Sequence, residues 1–179
     1  MKITHYRDKY RIDSARLADY DYGSNGMYFI TICTKNRIPY FGSIEETDGE
    51  FALQPTLLGQ QAIACWLAIP DHFPFVALDG FQIMPNHMHG LLCINKPGYE
   101  EWHPNVFGPQ SRNLASILRG YKVGVTRFAI ENQLEFGWQP RYYDRVVRNE
   151  DELNRIRWYI QQNPANWAND AENAEGQYM

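Results

Sequence analysis

The chain has 179 residues, is 44% hydrophobic and 15% aromatic, and carries a formal net charge of −4. This is enough apolar material for one sizeable core and excludes a disordered chain. The acidic balance argues against a protein that coats nucleic acid by bulk charge, and leaves room for a local basic groove.

A single domain over residues 1–179 is expected, with an N-terminal arm over 1–25 and a C-terminal tail over 168–179. The first residues lack the apolar run of a signal peptide, and no stretch approaches a membrane span, so a cytoplasmic protein without membrane contact is expected. Cys33, Cys65 and Cys93 are odd in number and far apart. They read as small buried hydrophobes in a reducing compartment.

In chain order, "GMYFITICTKN" (26–36) is β-branched and aromatic and follows the turn signal "GSNG", so it reads as a strand. "TLLGQQAIACWLAI" (56–69) spaces Leu58, Ile63, Trp66 and Leu67 helically, with Pro70 as its stop. "FVALDGFQIM" (75–84) reads as a strand bent at Gly80, and "HMHGLLCIN" (87–95) as another, across the turn dipeptide Pro85-Asn86. The Pro- and Gly-rich "KPGYEEWHPNVFGPQ" (96–110) reads as a mobile loop. "NLASILRGYKVGVTRFAI" (113–130) is helical, its stripe formed by Leu114, Ile117, Leu118, Tyr121, Val125 and Phe128. "WQPRYYDRVVR" (138–148) is strand-like. "NEDELNRIRWYIQQNP" (149–164) is a helix with Asn149 as N-cap, Glu152 as its capping-box partner and Pro164 as its close. The order β-α-β-β-α-β-α predicts an α+β, ferredoxin-like (RRM-like) antiparallel sheet with helices packed on it.

His87 and His89 sit two apart in a strand, so both imidazoles share one face while Met88 points the other way. Two neutral imidazoles can hold one divalent cation. A pair of satisfied, partly buried histidines is the alternative, and the spacing alone does not choose between them. In the last helix Leu153, Ile156 and Ile160 form the apolar stripe, and Tyr159 and Asn163 share one edge of it. If that ridge faces the histidine strand, a hydroxyl, a carboxamide and two imidazoles meet.

"MPNHMH" (84–89) followed by an apolar strand resembles the histidine-hydrophobic-histidine (HUH) signature of single-tyrosine insertion-sequence transposases. "YYDRVVRNEDELNRIRWYIQQNPANW" (142–167) is similar to the tyrosine-helix segment of the REP-associated tyrosine transposases. "ARLADYDYGSNGMYFITICTKNR" (15–37) and "LASILRGYKVGVTR" (114–127) are similar to the same branch.

The resemblance implies an HUH endonuclease fold. His87 and His89 would hold Mg²⁺ or Mn²⁺, with Asn163 as third protein ligand. Tyr159 would attack a phosphodiester of single-stranded DNA at hairpin-forming sequences, leaving a 5′-phosphotyrosine and a free 3′-OH. A nucleoid-associated monomer or homodimer is implied. The insertion-sequence branch carries Gln four residues after the tyrosine. Here Asn163 stands in that place and Gln162 one step before it, which leaves both as candidates for the third ligand. Arg119, Lys122 and Arg127 on one helix, and Arg141, Arg145 and Arg148 about the last strand, are candidates for phosphate contact, with a solvated surface as the alternative. The N-terminal segment mixes Arg with Tyr, as single-strand stacking surfaces do, with an arm tied onto the fold as the equal alternative. Two other functions are compatible with the sequence: a non-catalytic hairpin-binding protein, and a metal-dependent nuclease that uses water.

Overall fold

β1 (Gly26–Cys33) lies inside a sheet whose strands differ in exposure because only the inner ones are covered on both faces. The structure is a computed structural model and describes residues 20–99 and 111–170. Most of the 1–25 arm, the 96–110 loop and the 168–179 tail therefore falls outside the described residues. β4 (Val76–Ile83), β5 (His87–Ile94) and β6 (Tyr143–Val147) complete a four-stranded sheet of order β4-β5-β1-β6. Each neighbouring pair is antiparallel. The helices α1 (Leu57–Leu67) and α3 (Leu114–Glu131) make the two crossovers, which gives the ferredoxin-like plan.

Side chains alternate across the sheet, so each strand feeds two cores. Tyr28, Ile30 and Ile32 of β1 and Met88, Leu92 and Ile94 of β5 face α1 and α3 in the main core. There Trp66 of α1 lies flat against Gly90 of β5, where a Cβ would come within 2.3 Å of the indole. α3 begins in a reciprocal capping box of Asn113 and Ser116. On the opposite face Phe29 and Leu91 meet α4 (Glu150–Gln162), with Ile160 buried and Leu153 and Ile156 packed around it.

α4 is tied down by polar contacts as well. Asn149 Oδ1 accepts from Glu152 N, as the cap signal predicts. The Glu152 carboxylate reaches past the cap to the Arg148 N–H and pairs with Arg145, instead of closing a box on Asn149. Midway, Arg157 forks onto Asp79, with Nε–Oδ1 at 2.9 Å and Nη2–Oδ2 at 2.7 Å. Asp79 sits in the register shift between Leu78 and Phe81, beside the bend expected at Gly80. Arg157 holds the Asp79 carboxyl below its ordinary pKa.

Three local features depart from the sequence reading. Residues 42–55 form a hairpin, β2 (Gly42–Thr47) and β3 (Glu50–Pro55), turned at Asp48 and Gly49 with φ of 55° and 84°. Its Asp-Gly turn was the available signal, but the hairpin buries little and so lacks an alternating apolar pattern. Pro70 does not end helical structure: it occupies the first turn of a short helix, α2 (Ile69–His72), where its missing N–H costs no bond. The last strand is shorter than 138–148 because Pro140 and Arg141, the latter at φ 71°, interrupt it. Only a bridge between Thr34 and Trp138 precedes the break. Cys33, Cys65 and Cys93 form no disulfide, and burial raises each thiol pKa, as small half-buried side chains require.

Two outcomes test this packing. Gly90→Ala should lower stability by about 1–3 kcal/mol in a urea titration through overpacking against Trp66, whereas Gly80→Ala, with open space at its Cβ, should change it by less than about 0.5 kcal/mol. Asp79 has a lowered folded-state pKa, so its contribution is present above the unfolded carboxylate value and lost as pH falls through the folded one. Asp79→Asn should be less stable than wild type at neutral pH, with the gap closing below about pH 4.

Candidate active site

The alternation of β5 sends His87 and His89 to the α4 face, where they are 0% and 3% exposed. Their outer nitrogens converge, with Nε2–Nε2 at 3.1 Å. The inner nitrogens are held by neighbours. Asn86 donates Nδ2–H to the Arg37 carbonyl, which turns its Oδ1 toward His87 Nδ1 at 2.9 Å. His87 therefore carries its proton on Nδ1 and presents a lone pair at Nε2. His89 Nδ1 lies 2.8 Å from the Thr31 hydroxyl on the neighbouring strand. Phe29 stacks on the His89 ring at 5.5 Å and fixes its plane.

α4 lays Tyr159 over this pair, its hydroxyl 3.2 Å from His89 Nε2. One turn later Asn163 is 2% exposed. Its Nδ2 donates to Asp170 Oδ2 at 3.1 Å, while its Oδ1 is buried without a hydrogen-bond partner. Asp170 was not anticipated from the sequence. The chain leaves α4 through Pro164 and a 3₁₀ turn at Trp167–Asn169, with Trp167 beside the His87 ring at 6.0 Å, and that turn brings the carboxylate back. His87, His89 and Asp170 offer ligand atoms within 4.8 Å of one another. Two imidazole nitrogens, a carboxylate and an orphaned carboxamide oxygen form a donor set that fits a divalent cation. Gln162 does not line this cleft, whereas Asn163 does. The cleft, about 670 Å³, is also lined by Tyr159, Tyr143, Asn166 and Asn169.

Burial pushes His87 well below the ordinary histidine pKa, helped by the neighbouring His89. His89 is lowered to about 4 by burial, opposed by Asp170. Both stay neutral at physiological pH, the form a ligand needs. Tyr159 is 42% exposed, and burial of the remainder, then the Asp170 carboxylate, raises its pKa.

The basic candidates divide. Arg119, Lys122, Arg127 and Arg141 surround one groove of about 730 Å³ along α3, behind the sheet as seen from the histidines. Lys122 is turned onto the Gln139 and Arg141 carbonyls, and Arg127 pairs with Glu131. Arg145 pairs with Glu152, and Arg148 lies at the start of α4, so neither joins that groove. Among the described residues no helix is long and apolar enough to cross a membrane.

A structure of the REP-associated tyrosine transposase bound to a REP hairpin superposes with a TM-score of 0.60, at 18% identity over 87% of this chain and 74% of that one. The chain thus shares the α+β fold of that transposase. No protein-family model matches the chain. An uncharacterized protein of Haemophilus influenzae (strain KW20 / Rd) is 39% identical over 166 residues, covering 88% of this chain and 90% of its own length. The chain belongs to the family of that Haemophilus protein.

In the metal-free protein His89 should titrate near pH 4 by imidazole NMR, and a midpoint near the ordinary value of about 6.5 would contradict the buried pair. Unfolded imidazoles bind protons below about pH 6.5 where the folded ones do not, so stability should fall as pH drops from there toward 4.

Proposed function

We propose that this protein is a transposase-like, metal-dependent endonuclease and strand transferase that acts on single-stranded DNA at hairpin-forming sequences through a 5′-phosphotyrosine. The observation that carries this reading is the Tyr159 hydroxyl 3.2 Å from His89 Nε2, which itself lies 3.1 Å from His87 Nε2. The hairpin substrate is taken from the REP hairpin held by the transposase of the same fold.

In this reading His87, His89 and Asp170 hold Mg²⁺ or Mn²⁺, with Asn163 Oδ1 as a further oxygen. The mixed nitrogen and oxygen set favours Mn²⁺. A divalent ion bound there supplies positive charge that offsets the charge developing on the phosphoryl oxygens. Tyr159 Oη forms a bond to phosphorus as the bond from phosphorus to the 3′ oxygen breaks. The phenol gives up its proton and the departing 3′ oxygen takes one, so no net proton is consumed. Rejoining reverses the step with an incoming 3′-OH, and the bond energy stored in the phosphotyrosine makes ATP unnecessary. Phe29 and Thr31 keep His89 in one orientation, and Asn86 does so for His87.

The direct test is incubation with single-stranded hairpin DNA and Mn²⁺ followed by denaturing electrophoresis. A covalent protein–DNA adduct is expected. DNA that is cut without an adduct would instead indicate water as nucleophile, and binding without cutting a non-catalytic hairpin-binding protein. Tyr159→Phe should abolish the adduct while hairpin affinity is kept and stability changes by about 1 kcal/mol or less. His87→Ala, His89→Ala and chelation by EDTA should each remove cleavage with a much smaller effect on affinity. The same sequence annealed to its complement should resist cutting, because a stacked duplex cannot bend its backbone onto a tyrosine beside a sheet. Equal cutting of that duplex would refute the single-strand reading.

A further inference from the structure

Charge is unevenly spread along the chain. Between Arg37 and Lys96 the sequence holds no lysine or arginine, while Glu45, Glu46, Asp48 and Glu50 fall together there. They lie on the hairpin of β2 and β3, which forms a two-stranded sheet separate from the four-stranded one. Cross-strand partners share a face of a sheet. Glu46 stands opposite Phe51, and Ile44 opposite Leu53, so both pairs lie on the same face. Leu53 packs against the main core at the base of the hairpin. Phe51, nearer the turn, is 42% exposed. The tip is thus one aromatic ring set among carboxylates.

The groove along α3 has the opposite character. Val123 and Ile130 line it and are 57% and 72% exposed. They stand two turns apart on one side of the helix, and neither joins the core. Around them are Arg119, Lys122, Arg127 and Arg141 against one carboxylate, Glu131. The volume of about 730 Å³ leaves room for an aromatic side chain and its neighbours. Exposed apolar surface rimmed by polar groups marks a docking surface. A phosphate backbone would use the basic rim and leave Val123 and Ile130 in water, whereas an acidic tip centred on an aromatic ring uses both. No residue of β2 or β3 lines the groove, so within one chain the two surfaces stay apart.

We propose that the β2–β3 tip of one copy seats in the α3 groove of a second copy. Phe51 lies against Val123 and Ile130, and the Glu46 and Glu50 carboxylates face Arg119 and Arg127. An apolar centre inside a charged rim is the anatomy of a specific interface, and the opposite charges fix its register. Arg127 already meets Glu131 one turn away, but an exposed pair of that kind is worth little and exchanges readily for another carboxylate. Tip and groove are different surfaces, so the contact is heterologous and copies add head to tail. A tip of this size buries less than the roughly 1,200 Å² of a standard interface, which makes the contact a transient one that forms at high local concentration. The groove lies behind the sheet, so its occupation leaves the cleft of Tyr159 open. The inference does not depend on the nuclease reading.

The test is weight-average mass by analytical ultracentrifugation over rising protein concentration, without DNA, at low and high salt. The wild-type chain should associate reversibly, and less at high salt. Phe51→Ala, the double change Glu46→Lys and Glu50→Lys, and the double change Arg119→Glu and Arg127→Glu should each weaken association about tenfold or more. Thermal midpoints should stay near the wild-type value, because all five side chains are exposed. Mixed in equal amounts, the two charge-reversed proteins should associate again, since the unchanged tip of one meets the unchanged groove of the other. A wild-type chain that stays monomeric at every concentration, or a mixture that fails to associate, would overturn the proposal. So would association indifferent to Phe51 together with single-stranded DNA affinity lost on reversing the two arginines, a result that would give the groove to nucleic acid.

Discussion

The site depends on a small contact: Ile160 buried against Phe29 and Leu91. That second core is far smaller than the main one, yet it sets the height of α4 above β5 and with it the distance from Tyr159 to His89. The Asp79–Arg157 fork fixes the rotation and slide of the same helix against the β4 edge. A bidentate pair resists rotation in a way a single point charge does not. Helix position is thus set by shape at one end of α4 and by directional hydrogen bonds in its middle.

Holding two neutral imidazoles in an apolar setting, with a buried carboxamide oxygen left unpaired, costs stability. The fold offsets this locally, because both inner histidine nitrogens are hydrogen-bonded to Asn86 and Thr31. The outer nitrogens meet each other and the Tyr159 hydroxyl, and the Asn163 oxygen is left unpaired where Asp170 also arrives. Two inward imidazole nitrogens, a carboxylate and an unpaired carboxamide oxygen gathered in one cleft form a donor set that fits a cation.

The two faces of the sheet divide the work. The α1 and α3 face holds most of the buried apolar surface, including Trp66 on Gly90. The α4 face holds the chemistry. The segment from Arg141 to Tyr143 connects them around the β6 edge, since Arg141 and Tyr142 line the rear groove while Tyr143 lines the cleft. Basic residues that look like one set along the chain are therefore split between a groove behind the sheet, partly engaged in internal contacts, and the start of α4.

Local periodicity determined a good deal by itself. The two-residue spacing of His87 and His89 committed both to one face, because a strand repeats every two residues. The four-residue spacing of Tyr159 and Asn163 committed them to one ridge of a helix, and the Asn149 cap fixed where that helix starts. The ferredoxin-like plan of an antiparallel sheet with helices packed on it followed from the order of elements and the lengths of their connections. Only the tertiary structure decided what depends on contacts distant in sequence. It seated α4 on the histidine face, paired Arg157 with Asp79, and returned Asp170 to His87 and His89 through a 3₁₀ turn that no spacing rule announces. It also chose Asn163 over Gln162 for the cleft, since one residue along a helix turns a side chain by about 100° and only packing against the sheet says which direction is inward.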